Sequence, residues 1–571
     1  MKTPKIALIA CAFVVCVTSI PQLYLKYLRG TDYNGSCAYL DTDEFSYAAY
    51  TNALIDGRPR KNDPYSGVDN GPHESLFSIQ FVPAYLVALP ARALGISAAT
   101  SFIVLIPVIA VLSVVALLWL FIDLTGDPIL AGVAAVGVLC IGTIAALNPL
   151  EVVTGLREAI PFFPFARRYI PGLAFPVFVL TALFVWRALT RHPAWAILAG
   201  LGFSILVYSY FFLWTAVAAW FFTVLLLWVV GNPTERRVAC KVGAILTAFG
   251  VVALGPYAWL VKQRAGSMDS AQLLEFTHAP DLFRTPELYG ALLVVLLVYC
   301  KKKFEVQTSK LLFAASFAVV PFLIFNQQVI TGRSLQPFHY AEFVTNYWVV
   351  IAAFLTIGLI QHVVPRRILR YAGAAAIFFG IMLGIRAANS TAPMNAQLDD
   401  GRGIALKLRA ENNQGLVLAS NLLLANAVAT TSKNPVLWAR HLYTFSNVNL
   451  VEQKNRFYQY LYYVGVDEGE FKQALRDDFI ARWEVFGAER ANPVLAQSKQ
   501  PVTEEDIASA SSEYAAFIKS FDESVAAKLP LTYAVATVDA DLKNLDRWYE
   551  RAVVDQKSNL LLYRLKPRAS H

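Results

Sequence analysis

Long apolar runs separated by short charged stretches fill most of the first 390 residues, and after that the pattern changes. Windows of roughly 20 apolar residues, enough to cross a hydrocarbon core, fall near 5–20, 101–122, 128–147, 171–188, 195–210, 213–230, 240–261, 286–300, 309–326, 346–363 and 370–387. The pattern predicts about eleven membrane-spanning helices. A further apolar stretch at 76–95 is short, carries Pro83 and Pro90, and is read as lying flat at the interface. From residue 390 onward hydrophobic runs shorten. The segments 415–420, 531–538 and 560–564 read as short strands, while 449–486 and 503–529 carry helical periodicity with many charges. The predicted fold class is therefore a polytopic α-helical membrane domain, 1–389, followed by a soluble α/β domain, 390–571.

The basic residues set the expected sidedness. With 76–95 on the surface, Lys2 and Lys5, Arg187 and Arg191, Arg236, Arg237 and Lys241, Lys301 to Lys303, and Arg366, Arg367 and Arg370 all fall on one side. Positive-inside sorting makes that side cytoplasmic. The N-terminus is then inside, and the loop 21–100 and the C-terminal domain are outside. Lys2 and Lys5 precede an apolar run without a small-x-small cleavage site, so this run reads as an uncleaved first span.

Composition narrows the class. Of 571 residues 56% are hydrophobic, and the mean hydropathy is +0.47, too apolar for a soluble enzyme. The net charge of +8 follows from the basic cytoplasmic loops and does not indicate nucleic-acid binding. The six cysteines show neither a disulfide framework nor zinc-ligand spacing.

The chemistry is sought in polar segments on the predicted outer side. The loop after the first span is long and rich in acids, with Asp41, Asp43 and Glu44 within four residues at the start of a predicted helix over 43–55. Its apolar face is Phe45, Tyr47, Ala48, Tyr50, Ala53 and Leu54. A carboxylate at a helix N-terminus is held as the anion by the free amides, which suits a general base or a metal ligand; the alternative is that it caps the helix. The segment 148–171 carries Glu151, Arg157, Glu158, Arg167 and Arg168, and Arg333 lies in the loop 326–342. Arginines on the translocated side run against the sorting bias, and their forks match phosphate oxygens. Pairing with nearby acids or lipid headgroups is the alternative. His339, Glu342 and Glu158 are candidates for proton transfer or acceptor binding. Asp41, Asp43 and Glu151 or Glu158 are candidate oxygen ligands should a divalent metal such as Mg or Mn be used, although no spacing demands one.

This layout resembles the GT-C glycosyltransferases, the superfamily of protein O-mannosyltransferases, oligosaccharyltransferase catalytic subunits and lipid A aminoarabinose transferases. The shared features are a first external loop with an early acidic pair, Asp43-Glu44, an aromatic-rich helix ending near Asn52 and Gly57, many spans and a soluble C-terminal domain. The resemblance implies an inner-membrane transferase with its active site facing the periplasm or exterior. It would move a sugar from a polyprenyl-phosphate-linked donor to a lipid, glycan or protein acceptor, with Asp43 as base and Glu44 as its motif partner. No Trp-Trp-Asp motif occurs in the C-terminal domain, which argues against transfer to asparagine. An O-antigen-type polymerase or ligase, or a transporter or flippase for a lipid-linked sugar, are the competing readings. Spans largely free of ionisable residues speak against transport.

Overall fold

The computed structural model describes residues 2–146, 167–266, 268, 274–411, 413–445, 448–491 and 501–568. Its contacts divide the chain into two compact units: 1–24, 104–259 and 276–391 form one, and 25–103, 260–275 and 392–571 form the other.

The first unit is helical and apolar. Among the described residues of the chain, nine helices are long and apolar enough to cross a membrane, including Ala98–Thr125, Pro128–Ala145, Phe211–Gly231 and Thr308–Thr331. Helices also stand at the two remaining predicted spans, Trp195–Val207 and Thr285–Lys303. Close helix contact depends on glycine. Pro128–Ala145 packs on Asn346–Leu359, and a Cβ at Gly137 would come within 2.4 Å of the Phe354 ring, one at Gly142 within 2.5 Å of Tyr347. Small residues in this way let two backbones approach, as association in lipid requires. The rest of the interior is aromatic, with Trp348 stacked on Phe178 at 4.9 Å and Trp220 on Phe317 at 4.9 Å.

The second unit joins the long first loop to the C-terminal region. Its sheet has four strands, β1 (Leu416–Ala419), β2 (Leu531–Thr537), β3 (Tyr549–Lys557) and β4 (Leu560–Pro567), in the order β1-β2-β4-β3. β1 and β2 are parallel, and the other pairs are antiparallel. One core joins Leu418, Leu531, Ala534, Tyr549 and Leu565 of the sheet to Tyr462 and Tyr463 of a helix and to Phe521, just past the end of another; a second gathers Trp438, Phe457, Phe471, Ile507 and Tyr514. The helical stretch 449–486 is three helices, Leu450–Tyr463, Glu468–Asp477 and Phe479–Phe486. Each starts on a side-chain cap, Asn449, Asp467 and Asp478, that satisfies amides the helix cannot. Thr503 and Asp506 form a capping box at the head of Glu504–Ser520.

The stretch 76–95 forms a four-residue turn, Leu76–Ile79, and a 13-residue helix, Val82–Leu94. Thirteen residues span about 20 Å, short of the roughly 30 Å hydrocarbon layer. The helix buries Ala84, Val87, Ala88 and Ala91 and leaves Leu86, Leu89 and Leu94 exposed.

Candidate functional site

The helix Asp43–Ile55 is more enclosed than its single apolar face suggested: every residue from Glu44 to Leu54 is buried. The helices Val82–Leu94 and Leu422–Thr431 pack against it, and Tyr50 lies against Phe77 and Phe445. Its C-terminal turn closes through Gly57, whose φ of +89° a side chain would strain, with Arg58 N–H donating to the Ala53 carbonyl. The helix is thus a fixed mount for the acids at its head.

Those three acids have different surroundings. Glu44 is fully buried (0% exposed), and its Oε2 accepts from the Leu40 amide at 2.8 Å. Asp41 accepts at one oxygen, Oδ1, from the amides of Asp43 and Glu44 at 3.0 and 3.1 Å, the capping geometry. Asp43 is half-buried at the first helical position, and its backbone carbonyl accepts from the Ser46 hydroxyl. Two residues of the C-terminal region reach the same turn. Arg440 Nη1 donates to Thr42 Oγ1 at 3.2 Å, and His441 Nε2 lies 3.2 Å from the Thr42 carbonyl oxygen. Neither was singled out in the sequence, because nothing local ties residues 440–441 to residue 42.

The extended segment leading to the acids, 33–40, has no regular structure, and side chains of the helix Arg366–Ala410 bond its backbone. Asp399, fully buried, accepts from the amides of Asn34 and Ser36 and from Arg29 Nε at 3.0 to 3.2 Å. Asn395 accepts from the Tyr39 amide at 2.8 Å and donates to its carbonyl at 2.9 Å. Arg402 Nε donates to the Asn34 carbonyl at 3.1 Å. Spaced four and three residues apart, these residues share one helix face.

Two other acids of this unit are bonded from within it. Tyr65 and Ser66 amides bond Asp63, whose burial raises its carboxyl above the usual range despite those bonds and nearby Arg58. Burial would raise Glu74 too, but the Arg60 fork and the Ser78 hydroxyl outweigh it and hold the carboxyl low.

The first unit holds a cluster of its own. Arg167 and Arg168 are buried, and the Arg167 guanidinium sits over the Phe343 ring at 5.3 Å. His339 lies 5.3 Å from that same ring and stacks on Phe212 at 4.6 Å. Glu342 is next to Phe343 in sequence and half-buried. Arg333 is exposed, with its guanidinium over Phe276 at 5.8 Å. Arg157, Glu151 and Glu158 lie outside the described residues. Among the described residues no three His, Cys, Asp or Glu side chains are grouped to hold a metal ion; of the nominated ligands, Glu151 and Glu158 lie outside those residues.

No family model matches the chain. No curated protein sequence matches it either. Among solved structures it is similar to ArnT from Cupriavidus metallidurans bound to undecaprenyl phosphate, at 11% identity and a TM-score of 0.47, over 97% of this chain and 98% of that one. It is also similar to the Archaeoglobus fulgidus oligosaccharyltransferase in complex with Zn and sulfate, at 12% identity and a TM-score of 0.43, over 98% of this chain and 73% of that one. A likeness this distant assigns no residue of those proteins to this chain.

Proposed function

We propose that this protein is an integral-membrane glycosyltransferase that moves a sugar from a polyprenyl-phosphate-linked donor to an acceptor hydroxyl or amine on the extracytoplasmic face of the inner membrane. The reading combines the acidic-pair resemblance in the sequence with the apolar helical unit. The observation that carries it is the division of labour at residues 41–44. Glu44 is buried against the Leu40 amide and Asp41 caps the helix, while Asp43 is half-buried on a rigid mount.

In this mechanism the Asp43 carboxylate takes the proton of the acceptor as its oxygen or nitrogen attacks the anomeric carbon. The anomeric carbon–oxygen bond breaks, and the carrier phosphate leaves with the bonding electrons. Glu44 is a positioning residue that fixes the turn. Arg167 and Arg168 are the candidates for the phosphate oxygens, because a guanidinium offers a planar fork of donors. Arg333 is a weaker candidate on the same chemistry.

The test is sugar transfer or release by the purified protein from a panel of polyprenyl-phosphate sugars, comparing wild type with Asp43→Asn. The proposal expects activity with at least one donor and a loss of roughly 100-fold or more in the variant at unchanged yield of folded protein. Equal turnover in both would remove Asp43 from catalysis. No turnover with any donor, together with lipid-linked sugar crossing vesicles that contain the protein, would replace the transferase by a flippase.

A further inference from the structure

We propose that Asn395 is a positioning residue for the reaction, holding the backbone at Tyr39 so that Asp43 is presented in its working place. The inference rests on the reading of Asp43 as the base. It starts from an unusual arrangement: residues 33–40 lie in no helix or strand, and 34, 36, 39 and 40 have their backbone groups bonded to side chains. Of the three residues of the helix Arg366–Ala410 that bond this segment, Asn395 is the one nearest the acids along the chain. It is 1% exposed, and its amide grips both polar groups of a single residue, accepting from Tyr39 N–H and donating to Tyr39 C=O.

That two-way grip imitates a rung of a β-ladder, and only a side chain with an acceptor and a donor side by side can make it. Two residues on, the Tyr39 side of the segment meets Asp41, and after it Asp43. Glu44 secures the residue between, Leu40, from the helix side. The segment is thus fixed at residue 39 by one helix and at residue 40 by another, and a shift of either moves the carboxylate. Misplacement of about 1 Å at a reacting group costs up to roughly 100-fold in rate.

The amide has a near-isosteric analogue whose hydrogen-bonding depends on a proton. In Asn395→Asp, a protonated carboxyl offers one donor and one acceptor, as the amide does, whereas the carboxylate offers acceptors only and would face the Tyr39 carbonyl. The charged or titratable groups on the elements packed here are Asp399 and Arg402 on its own helix, Tyr39 on the segment 33–40, Glu44 on the helix Asp43–Ile55, which bonds Leu40, and Arg29, which bonds Asp399.

The experiment measures kcat and donor KM between pH 5.5 and 9 for wild type, Asn395→Ala and Asn395→Asp of the full chain, with Asp43→Asn alongside. Asn395→Ala is expected to lose roughly 10- to 100-fold in kcat at every pH with donor KM unchanged. Asn395→Asp is expected to approach wild type at the acid end and fall toward the alanine variant as pH rises, recovering when the same sample is returned to acid. That reversible profile separates positioning from a failure to fold, which would not recover. A kcat for Asn395→Ala equal to wild type, or an Asn395→Asp profile parallel to wild type, overturns the inference while leaving the base intact. Full activity of Asp43→Asn overturns the base itself, and the inference with it.

Discussion

The two compact units satisfy buried polar groups by different routes. In the membrane unit the threonines return to their own helix: Thr181, Thr223 and Thr356 each donate to the carbonyl four residues back, at 2.7 to 2.8 Å. Contacts between helices are left mainly to glycine and aromatic rings, with exceptions such as Asn346 Nδ2 to the Gly142 carbonyl. In the second unit buried and half-buried polar side chains reach across hundreds of residues. Asp399 bonds Asn34, Arg409 bonds Asp56, Tyr65 bonds Asn426 and Asn52 bonds the Ser432 carbonyl. A lipid-facing helix must satisfy its own backbone and cannot rely on water, so local closure is the safe solution. A water-facing domain built from distant segments needs specific long-range bonds to fix register, and these are where substitution should hurt most.

The largest effect is therefore expected at Asp399. Its replacement by alanine leaves the amides of Asn34 and Ser36 without their carboxylate and takes one of two acidic partners from Arg29, which keeps Asp400, at a cost of about 3 kcal/mol or more. The check is hydrogen exchange of the full chain, with protection lost over 33–55 and 392–431 and retained over the membrane helices. Protection unchanged over 33–55 would show that the clasp is dispensable.

Glu484 sharpens the same contrast through pH. It is fully buried (0% exposed) and bonded by Trp438 Nε1 at 3.0 Å and by the Gln453 amide; burial pushes its carboxyl up to about 8 in spite of those bonds and nearby Arg440. With the folded value above the unfolded one, the folded state holds the proton longer. The contribution is complete below about pH 4.5 and is lost as the pH rises through 8. Between pH 5 and 8 this unit should lose about 3 kcal/mol. Exchange protection of the helices Leu450–Tyr463 and Phe479–Phe486 should decline over that window, and Glu484→Gln should flatten the decline. A slope unchanged by Glu484→Gln would assign the effect elsewhere.

The same contrast explains what the sequence disclosed. Spans announce themselves by local composition, and a helix stands at each of the eleven apolar windows. β1, β2 and β4 were visible as short apolar runs. β3 was not, because at the sheet edge only Tyr549 of Tyr549–Lys557 is buried, and Glu550, Arg551 and Asp555 interrupt its apolar positions. The helix Arg366–Ala410 was visible only as far as its apolar part, since beyond residue 388 its polar face, Asn395, Asp399 and Arg402, looks like linker. The acidic turn itself was legible as a cluster. Which of its acids is buried, which caps and which is half-exposed was not, because that depends on Leu40 and on how the turn folds back. Arg440 and His441 leave no local trace, their partner lying about 400 residues away in the chain.

The membrane unit should respond in proportion to crowding and hardly at all to lost hydroxyls. Gly137→Ala places a methyl group against the Phe354 ring, and overpacking of this kind costs about 1–3 kcal/mol. Thr356→Val removes a bond that its own helix backbone accepts, at about 0.5 kcal/mol or less, because the carbonyl keeps its helical donor. Thermal inactivation of the detergent-solubilised protein ranks the two: the glycine variant should lose several degrees at its midpoint, and the threonine variant should match wild type within error. If Thr356→Val were the more damaging of the pair, its hydroxyl would have to serve a neighbouring helix. The membrane unit would then be held by the same kind of distant polar bond as the second, and the difference between the two units would disappear.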